Sequence, residues 1–489
     1  MASDRVHVDG YELFHLACDR SYPAVVEELL QRDDIDKTTT GIDGSSWLHE
    51  AASNGCTDAA SELIFKHRSD INKQRSDGAT PLICALRRTH GKVVTMLLEA
   101  GADVNMALVD GRTPLYFAAS HFKDDLLEQL LRHGSNVGAI TSRGESALHE
   151  ACRHAFPTVV RRLLLHGADP VRRNKRGETP LELACMGHPK TVKVLLDNGA
   201  DLLQRNSTGA SYLYQACQRR FAEVVAVLLD RGADPNAVEL GSTPFLAACW
   251  AGSVEIVHVL LSHGADVRAA THIYGITGLH AVCYPTTGVE SSSDSLYRLA
   301  RTMIREGADV NARMLNNITP LHVACKYFRA GAIKALGNAG ADPLAVHVNP
   351  VTTRGITPIH LLSRHLFAAE ALRFLVCRAP GDRLEDVFGS TWSPLHEAAT
   401  SVSSASVSML LEHGANPMAL TEDGRTALHL LFARFEANPF PDWAEGINQA
   451  LEVVAALTKC DGFDINHRDN GGATALGLAG DTCPARLEV

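Results

Sequence analysis

A helix-start signal returns along this 489-residue chain at an interval close to 33 residues, and a period of that length excludes most compact folds. It stands at Glu12, Ser46, Thr80, Thr113, Ser146, Thr179, Ser211, Thr243, Thr277, Thr319, Thr357, Ser393, Thr426 and Thr474. The steps between them are 34, 34, 33, 33, 33, 32, 32, 34, 42, 38, 36, 33 and 48 residues. A unit this short cannot bury a core of its own, so the copies are bound to stack.

The copy from Gly241 to Val267 shows what one unit holds. Thr243 is suited to cap a helix, its hydroxyl accepting an otherwise unpaired backbone N–H. Pro244 follows at the first helical position, where its missing N–H costs nothing. Phe245, Ala248 and Cys249 then form an apolar stripe at helical spacing. Gly252 breaks the helix, and Val254 to Leu261 supplies a second one with Ile256, Val257, Leu260 and Leu261 on its buried side. Gly264 fits the left-handed position after the last turn. Isolated helices below about 12–15 residues are marginal in water, so each pair needs neighbours.

Thr319-Pro-Leu-His-Val-Ala324, Ser393-Pro-Leu-His-Glu-Ala398 and Thr357-Pro-Ile-His360 open three of the units. Gly101-Ala-Asp-Val-Asn105, Gly167-Ala-Asp-Pro170, Gly232-Ala-Asp-Pro-Asn236 and Gly307-Ala-Asp-Val-Asn311 close four others. With the period, these segments resemble the ankyrin repeat, and the resemblance covers nearly the whole chain as a stand-alone array of about fourteen repeats. It implies an all-α solenoid of stacked helix–turn–helix units with β-hairpin-like turn fingers. It also implies a curved stack whose concave side presents the first helices and the fingers. The pairs Asp77-Gly78, Asp110-Gly111, Arg176-Gly177 and Asp423-Gly424 suit the tight finger turns, which need a positive φ.

Three segments are expected along the chain. Residues 1–283 form a regular array, 284–356 hold irregular repeats with inserted loops that act as a softer joint, and 357–489 hold C-terminal repeats ending in a half-repeat. Insertions enter at Tyr284 to Ser295, Val346 to Thr353, Cys377 to Asp382 and Ala437 to Gly446. Gly278 replaces the usual proline, and Pro285 ends the helix bearing Cys283 early. The first repeat leans polar, as a solvent-facing cap requires. After Ala479 no returning helix follows, so the last half-repeat either packs as a cap or is followed by more chain.

The net charge of −10 argues against nucleic acid as the main partner, because that binding neutralises phosphates. No apolar run approaches the roughly 18 residues of a membrane span, and the first ten residues lack the apolar core of a signal peptide. Of the 12 cysteines, Cys18, Cys152, Cys185, Cys217, Cys249, Cys283 and Cys325 share one repeat position and read as small buried thiols. An intracellular protein, cytoplasmic or nuclear and monomeric, is expected.

Catalytic chemistry finds no pattern here. Among the 23 histidines, His15, His49, His149, His280, His322, His360, His396 and His429 occupy the histidine of the repeat motif. The resemblance implies that this imidazole bridges backbone and hydroxyl groups between turns. His133, His166, His263 and His413 precede the helix-ending glycine, where a proton-bearing ring suits the helix dipole. Asp103, Asp169, Asp201, Asp234, Asp266, Asp309 and Asp342 recur with the fold and read as turn caps. No metal-binding, nucleophile-elbow or phosphate-loop motif is present, so no cofactor, metal or catalytic residue is expected.

One stretch departs from the acidic background. Between Arg153 and Lys193 stand nine basic residues against Asp169, Glu178 and Glu182. Arg172, Arg173, Lys175 and Arg176 fall where the resemblance places a finger. The first-helix ends of neighbouring units add Arg87 and Arg88, His121 and Lys123, Arg153 and His154, and Arg219 and Arg220. Trp250, Tyr284 and Tyr327 hold that position in later units. A basic stripe over repeats 3–7 ending in aromatics suits an acidic peptide segment. The leading expectation is therefore a non-catalytic scaffold or adaptor with a protein partner. A ubiquitin-ligase substrate receptor or host-directed effector would need a second recruiting box, an enzyme would need a pocket in the groove or insertions, and a phosphate ligand would need the stripe alone.

Overall fold

A computed structural model describes residues 10–121, 124–285, 292–348, 355–379, 387, 392–437 and 443–478. Among these residues the chain forms 27 α-helices and a single pair of two-residue strands, which makes it all-α. It divides into two compact units. Unit 1 is Met1–Ala216 with Glu223–Ala233, and unit 2 is Cys217–Ala222 with Asp234–Val489.

In unit 1 the expected caps start the helices. Thr80 and Thr113 accept the N–H of Ile83 and Tyr116 at 3.4 Å each, and Thr179 accepts that of Glu182 at 3.1 Å. A proline follows each cap and opens the helices Pro81–Arg87, Pro114–Ser120 and Pro180–Ala184. Nine-residue helices return behind the first and third of these, Gly91–Glu99 and Pro189–Asp197. The first helices Trp47–Asn54, Pro81–Arg87, Pro114–Ser120, Ala147–Arg153 and Pro180–Ala184 pack each on the next. Each Leu or Val thus sealed from water, Val93, Val94, Leu97 and Leu98 for instance, contributes on the order of 1.5–3 kcal/mol. Stacking, rather than the propensity of helices this short, holds the unit together.

The first helix departs from the expected register. It runs Gly10–Asp19, so Glu12 lies inside its first turn instead of capping it. His15 also departs, its ring Nδ1 meeting the Glu50 carboxylate at 2.7 Å. With no N-cap hydroxyl three residues before it, this imidazole has no local partner to bridge.

The fingers of unit 1 are joined by backbone hydrogen bonds. Ser76 donates to the Asp43 carbonyl at 2.8 Å, Val109 to Asp77 at 3.0 Å, Ser142 to Asp110 at 2.7 Å and Lys175 to Arg143 at 2.9 Å. Gly78 shows why glycine is needed at the bend. Its φ is +82°, and a Cβ there would sit 2.9 Å from the Val109 nitrogen. The ladder changes character one finger later, where the Ser207 N–H donates to the Glu182 carboxylate at 2.9 Å.

In unit 2 the copy at Thr243 follows its sequence closely. Helix Pro244–Ala251 ends at Gly252 in the left-handed region, φ +67°, and helix Val254–Ser262 returns with Ile256, Val257 and Leu260 buried. Leu261 is only half-buried. The first helices Pro244–Ala251, Gly278–Cys283, Pro320–Lys326, Pro358–Ser363, Pro394–Thr400 and Ala427–Ala437 pack in succession. Gly278–Cys283 stops where Pro285 requires, with Tyr284 extended. Behind it runs a longer helix, Ser293–Arg305, which packs against Ala330–Asn338. A Cβ on Gly331 would lie 1.8 Å from the Ser293 carbonyl oxygen, so only glycine permits that approach. Strands His347–Val348 and Gly355–Ile356 pair antiparallel, His347 opposite Ile356.

The expected insertions fall partly on 286–291, 349–354, 380–386 and 438–442, and the tail on 479–489, all outside the described residues. The proposed joint at 284–356 includes two of these segments.

The seven turn-cap aspartates act as expected, each accepting the N–H two residues on at 2.8–3.0 Å. His133, His166, His263 and His413 each meet the carbonyl four residues back at 2.8–2.9 Å, which ties off the helix end. Seven of the eight motif histidines bridge repeats. In His360, Nδ1 accepts the Thr357 N–H at 3.2 Å while Nε2 donates to the Trp392 carbonyl at 2.8 Å. His49, His149, His280, His322, His396 and His429 repeat the pattern onto Ala79, Glu178, Ile318, Ile356, Ala419 and Ala473. The geometry assigns a neutral ring with its proton on Nε2. Burial favours the same state, pushing His280, His322, His360 and His396 down to about 4 and lowering His49, His149 and His429.

Candidate partner-binding surfaces

The basic residues of unit 1 sort into two classes. Those at first-helix ends are mostly neutralised. Arg87, closing Pro81–Arg87, meets the Asp77 carboxylate at 3.4 Å and lies 5.2 Å from the centre of the Phe117 ring. Arg153 meets Glu150 at 2.6 Å and also pairs with Glu145. His154 reaches the other Glu150 oxygen at 3.2 Å. The ring of His121 is turned back onto the Phe117 carbonyl at 2.8 Å. Arg88 stands exposed, and Lys123 lies outside the described residues.

Glu145 and Glu150 oppose the charge of Arg153 from the N-terminal side of the basic stretch. Both lie just before Arg153, so a window opening at that arginine misses them. The three-residue step from Glu150 to Arg153 on one helix face was the available signal. Tyr116 adds its hydroxyl to Glu150 at 2.9 Å, and burial followed by that carboxylate raises the phenol above its ordinary range.

The finger residues behave differently. Arg172 donates to the Gly138 carbonyl at 2.8 Å, and Arg173 donates to Gly177 at 2.5 Å and to Arg205 at 2.6 Å. These acceptors are neutral, so the guanidinium charges stand uncancelled. Lys175 and Arg176 are exposed. None of the four has a carboxylate within ion-pair distance among the described residues. Asn174 fixes the turn beneath them, its side-chain oxygen accepting the N–H of Arg176 at 2.9 Å and of Glu178 at 3.0 Å. Arg143, which sequence reasoning passed over, is exposed on the preceding finger, whose backbone carbonyl holds the Lys175 N–H.

Unit 2 presents an aromatic row. The Trp250 and Tyr284 rings lie 5.2 Å apart, and Tyr284 and Tyr327 lie 5.5 Å apart. All three are half-buried. Lys326 places its ammonium 5.4 Å from the centre of the Tyr327 ring. Burial, followed by the neighbouring Tyr327, raises the Tyr284 phenol. A cavity of about 320 Å³ opens beside the row, lined by Tyr284, Asn316, His322, Lys326, Tyr327 and Arg364 among others. Arg219 and Arg220 are exposed and also belong to unit 2.

Among the described residues no group of three or more His, Cys, Asp or Glu is placed to hold a metal, and no helix is long and apolar enough to cross a membrane.

Comparison with known proteins is consistent with this architecture. The family model "Ankyrin repeats (3 copies)" matches residues 14–107, 48–140, 115–206 and 202–271, and "Ankyrin repeat" matches 316–348 and 391–422. A tyrosine-protein kinase, HTK16 of Hydra vulgaris, is 33% identical over 157 residues, which are 31% of this chain and 19% of that protein. The chain thus spans about a fifth of the length of that relative. The solved ankyrin repeat domain of Bcl-3, described as a unique member of the IkappaB protein family, is 34% identical with a TM-score of 0.38. That match covers 44% of this chain and 95% of the Bcl-3 chain.

Proposed function

Because this chain belongs to the ankyrin-repeat family, we propose that it is a non-catalytic scaffold or adaptor whose partner docks an acidic segment on the basic finger of unit 1. Ankyrin repeats form protein-interaction domains, which sets the class of activity. The observation that carries the finer reading is the cluster Arg172, Arg173, Lys175 and Arg176, in which the two arginines donate to backbone carbonyls, the other two are exposed, and none is paired with a carboxylate among the described residues. Arg87, Arg153 and His154 already hold carboxylates of their own, so a partner would have to displace those first. A row of uncancelled cations on a hydrogen-bonded turn attracts an acidic chain at long range and then holds it in register.

The aromatic row of unit 2 favours a second contact. Tyr and Trp supply large, stiff faces at low entropic cost and dominate the energetics of protein interfaces. Trp250, Tyr284 and Tyr327 offer three such faces beside a cavity and a lysine.

A peptide-display library selected on the full-length chain tests both readings. Selected peptides should be rich in Asp and Glu, and they should lose binding when Arg172, Arg173, Lys175 and Arg176 are all changed to Glu. Peptides selected on the aromatic row should instead lose binding with Tyr284→Ala and Tyr327→Ala. Selection without acidic enrichment, or equal binding to the finger variant, contradicts the first reading.

A further inference from the structure

Cys377 is the one exposed cysteine among the described residues, and a histidine stands against it. It caps the C-terminal end of helix Ala369–Val376, a place that His166 and His263 take in other repeats. One repeat further on, His413 caps helix Ser404–Glu412 in the same way, and the two helices pack together. Stacking thus sets equivalent positions side by side, and the Cys377 Sγ lies 3.8 Å from the His413 Nε2. Both residues belong to unit 2.

The other ring nitrogen fixes which partner donates. His413 Nδ1 meets the Met409 carbonyl at 2.8 Å, and a carbonyl only accepts, so the neutral ring carries its proton on Nδ1. Its Nε2 lone pair therefore faces Cys377, whose S–H donates to it. A nucleophile, a base in contact with it and a group that orients the base form the arrangement that activates a thiol. The charged neighbours are engaged elsewhere. Arg373 holds Glu412 at 2.7 Å, and Arg378 lies 3.6 Å from the centre of the Phe374 ring while donating to Asn338 at 3.2 Å. Both caps sit at negative helix ends, which favour the imidazolium and disfavour a standing thiolate. The proton accordingly leaves the sulfur as the sulfur attacks, rather than before.

We propose that Cys377 is a modification site for α,β-unsaturated carbonyl compounds, with His413 as the base that activates it. The Sγ forms a bond to the β-carbon, the alkene electron pair moves to the carbonyl as an enolate, and the thiol proton passes to His413 Nε2. The imidazolium then returns that proton to the α-carbon. One thiol and one enone give one thioether, and the ring ends neutral. No leaving group, oxidant or second thiol is required. Exposure admits the electrophile, and the base supplies thiolate character at the moment of attack. The adduct removes the S–H donor that links two consecutive repeats. The inference is independent of the finger reading.

Reaction of the full-length chain with cyclohexenone at neutral pH, followed by peptide mapping in a mass spectrometer, tests it. A synthetic peptide of residues 370–384 carries the same thiol without His413 and serves as the reference. Cys377 in the folded chain should form its adduct about tenfold or more faster than the peptide does. His413→Ala widens access to the sulfur, yet it should bring the rate down toward that of the peptide, and added imidazole should restore part of the loss. His413→Gln keeps an acceptor at that place but no base, and it should be slow as well. Rates unchanged or raised in folded His413 variants would overturn the proposal. So would a folded chain no faster than the peptide, and because that comparison uses the unaltered chain it decides the matter even where a variant fails to fold.

Discussion

In unit 1 phenols and carboxylates share the polar links between neighbouring repeats with imidazoles, whereas in unit 2 the recurring link is the imidazole of the repeat motif. Tyr11 donates to Glu50 at 2.7 Å and Tyr116 to Glu150 at 2.9 Å, and the Tyr212 hydroxyl meets that of Thr179 at 2.9 Å. His90 links repeats as well, its ring Nε2 lying 2.9 Å from the Ser53 carbonyl oxygen, and His49 and His149 are the two bridging motif histidines of that unit. Unit 2 has five: His280, His322, His360, His396 and His429. The difference lies in the third residue of each first helix. Where it is histidine, one ring caps its own helix and ties off the next turn. Where it is Ile83, Tyr116 or Glu182, the backbone keeps only the hydroxyl cap and the repeats find other links. One scaffold thus accepts two polar solutions, and the two respond differently to pH.

Acid is the harshest way to separate them. A histidine held at about 4 when folded and near 6.5 when unfolded binds its proton more readily unfolded. Its contribution is complete above about pH 6.5 and is lost as the pH falls toward 4. At pH 5 each such ring gives up about 2 kcal/mol, so the four in unit 2 together give up several kcal/mol. Hydrogen exchange at pH 7.5 and pH 5 should show protection collapsing in unit 2 and persisting longer in unit 1. Equal loss in both would break the comparison.

A single bridge comes next. His360→Ala strands the Thr357 N–H and the Trp392 carbonyl in a buried site, which should cost roughly 2–4 kcal/mol in urea unfolding. It should also shrink the acid sensitivity by one ring. The smallest effect belongs to unit 1. Tyr116→Phe removes one hydrogen bond from Glu150, yet Arg153 still holds that carboxylate, so about 1 kcal/mol is expected with little change in pH dependence.

The repeat, its caps and its histidine bridges were legible because each is written within one unit. Thr357, Pro358 and His360 sit within four positions, and the aspartate caps reach only two residues ahead. Contacts that join different units were less legible. The pairing of Arg153 with Glu145 and Glu150 turned a expected binding residue into a neutralised one. Ser207 leaves the finger ladder because Glu182, a buried side chain of the preceding first helix, takes its N–H. Period reveals what the units share, while side-chain reach and burial decide how they differ.

The central claim is that uncancelled finger cations, rather than paired cations at helix ends, take the partner. Titration calorimetry with the tightest display-selected acidic peptide tests it, comparing a finger variant (Arg172→Ala with Arg173→Ala) with a helix-end variant (Arg87→Ala with Arg153→Ala). The finger variant should weaken binding by about tenfold or more, and the helix-end variant by less than about threefold. The opposite order, or equal losses, would contradict the account.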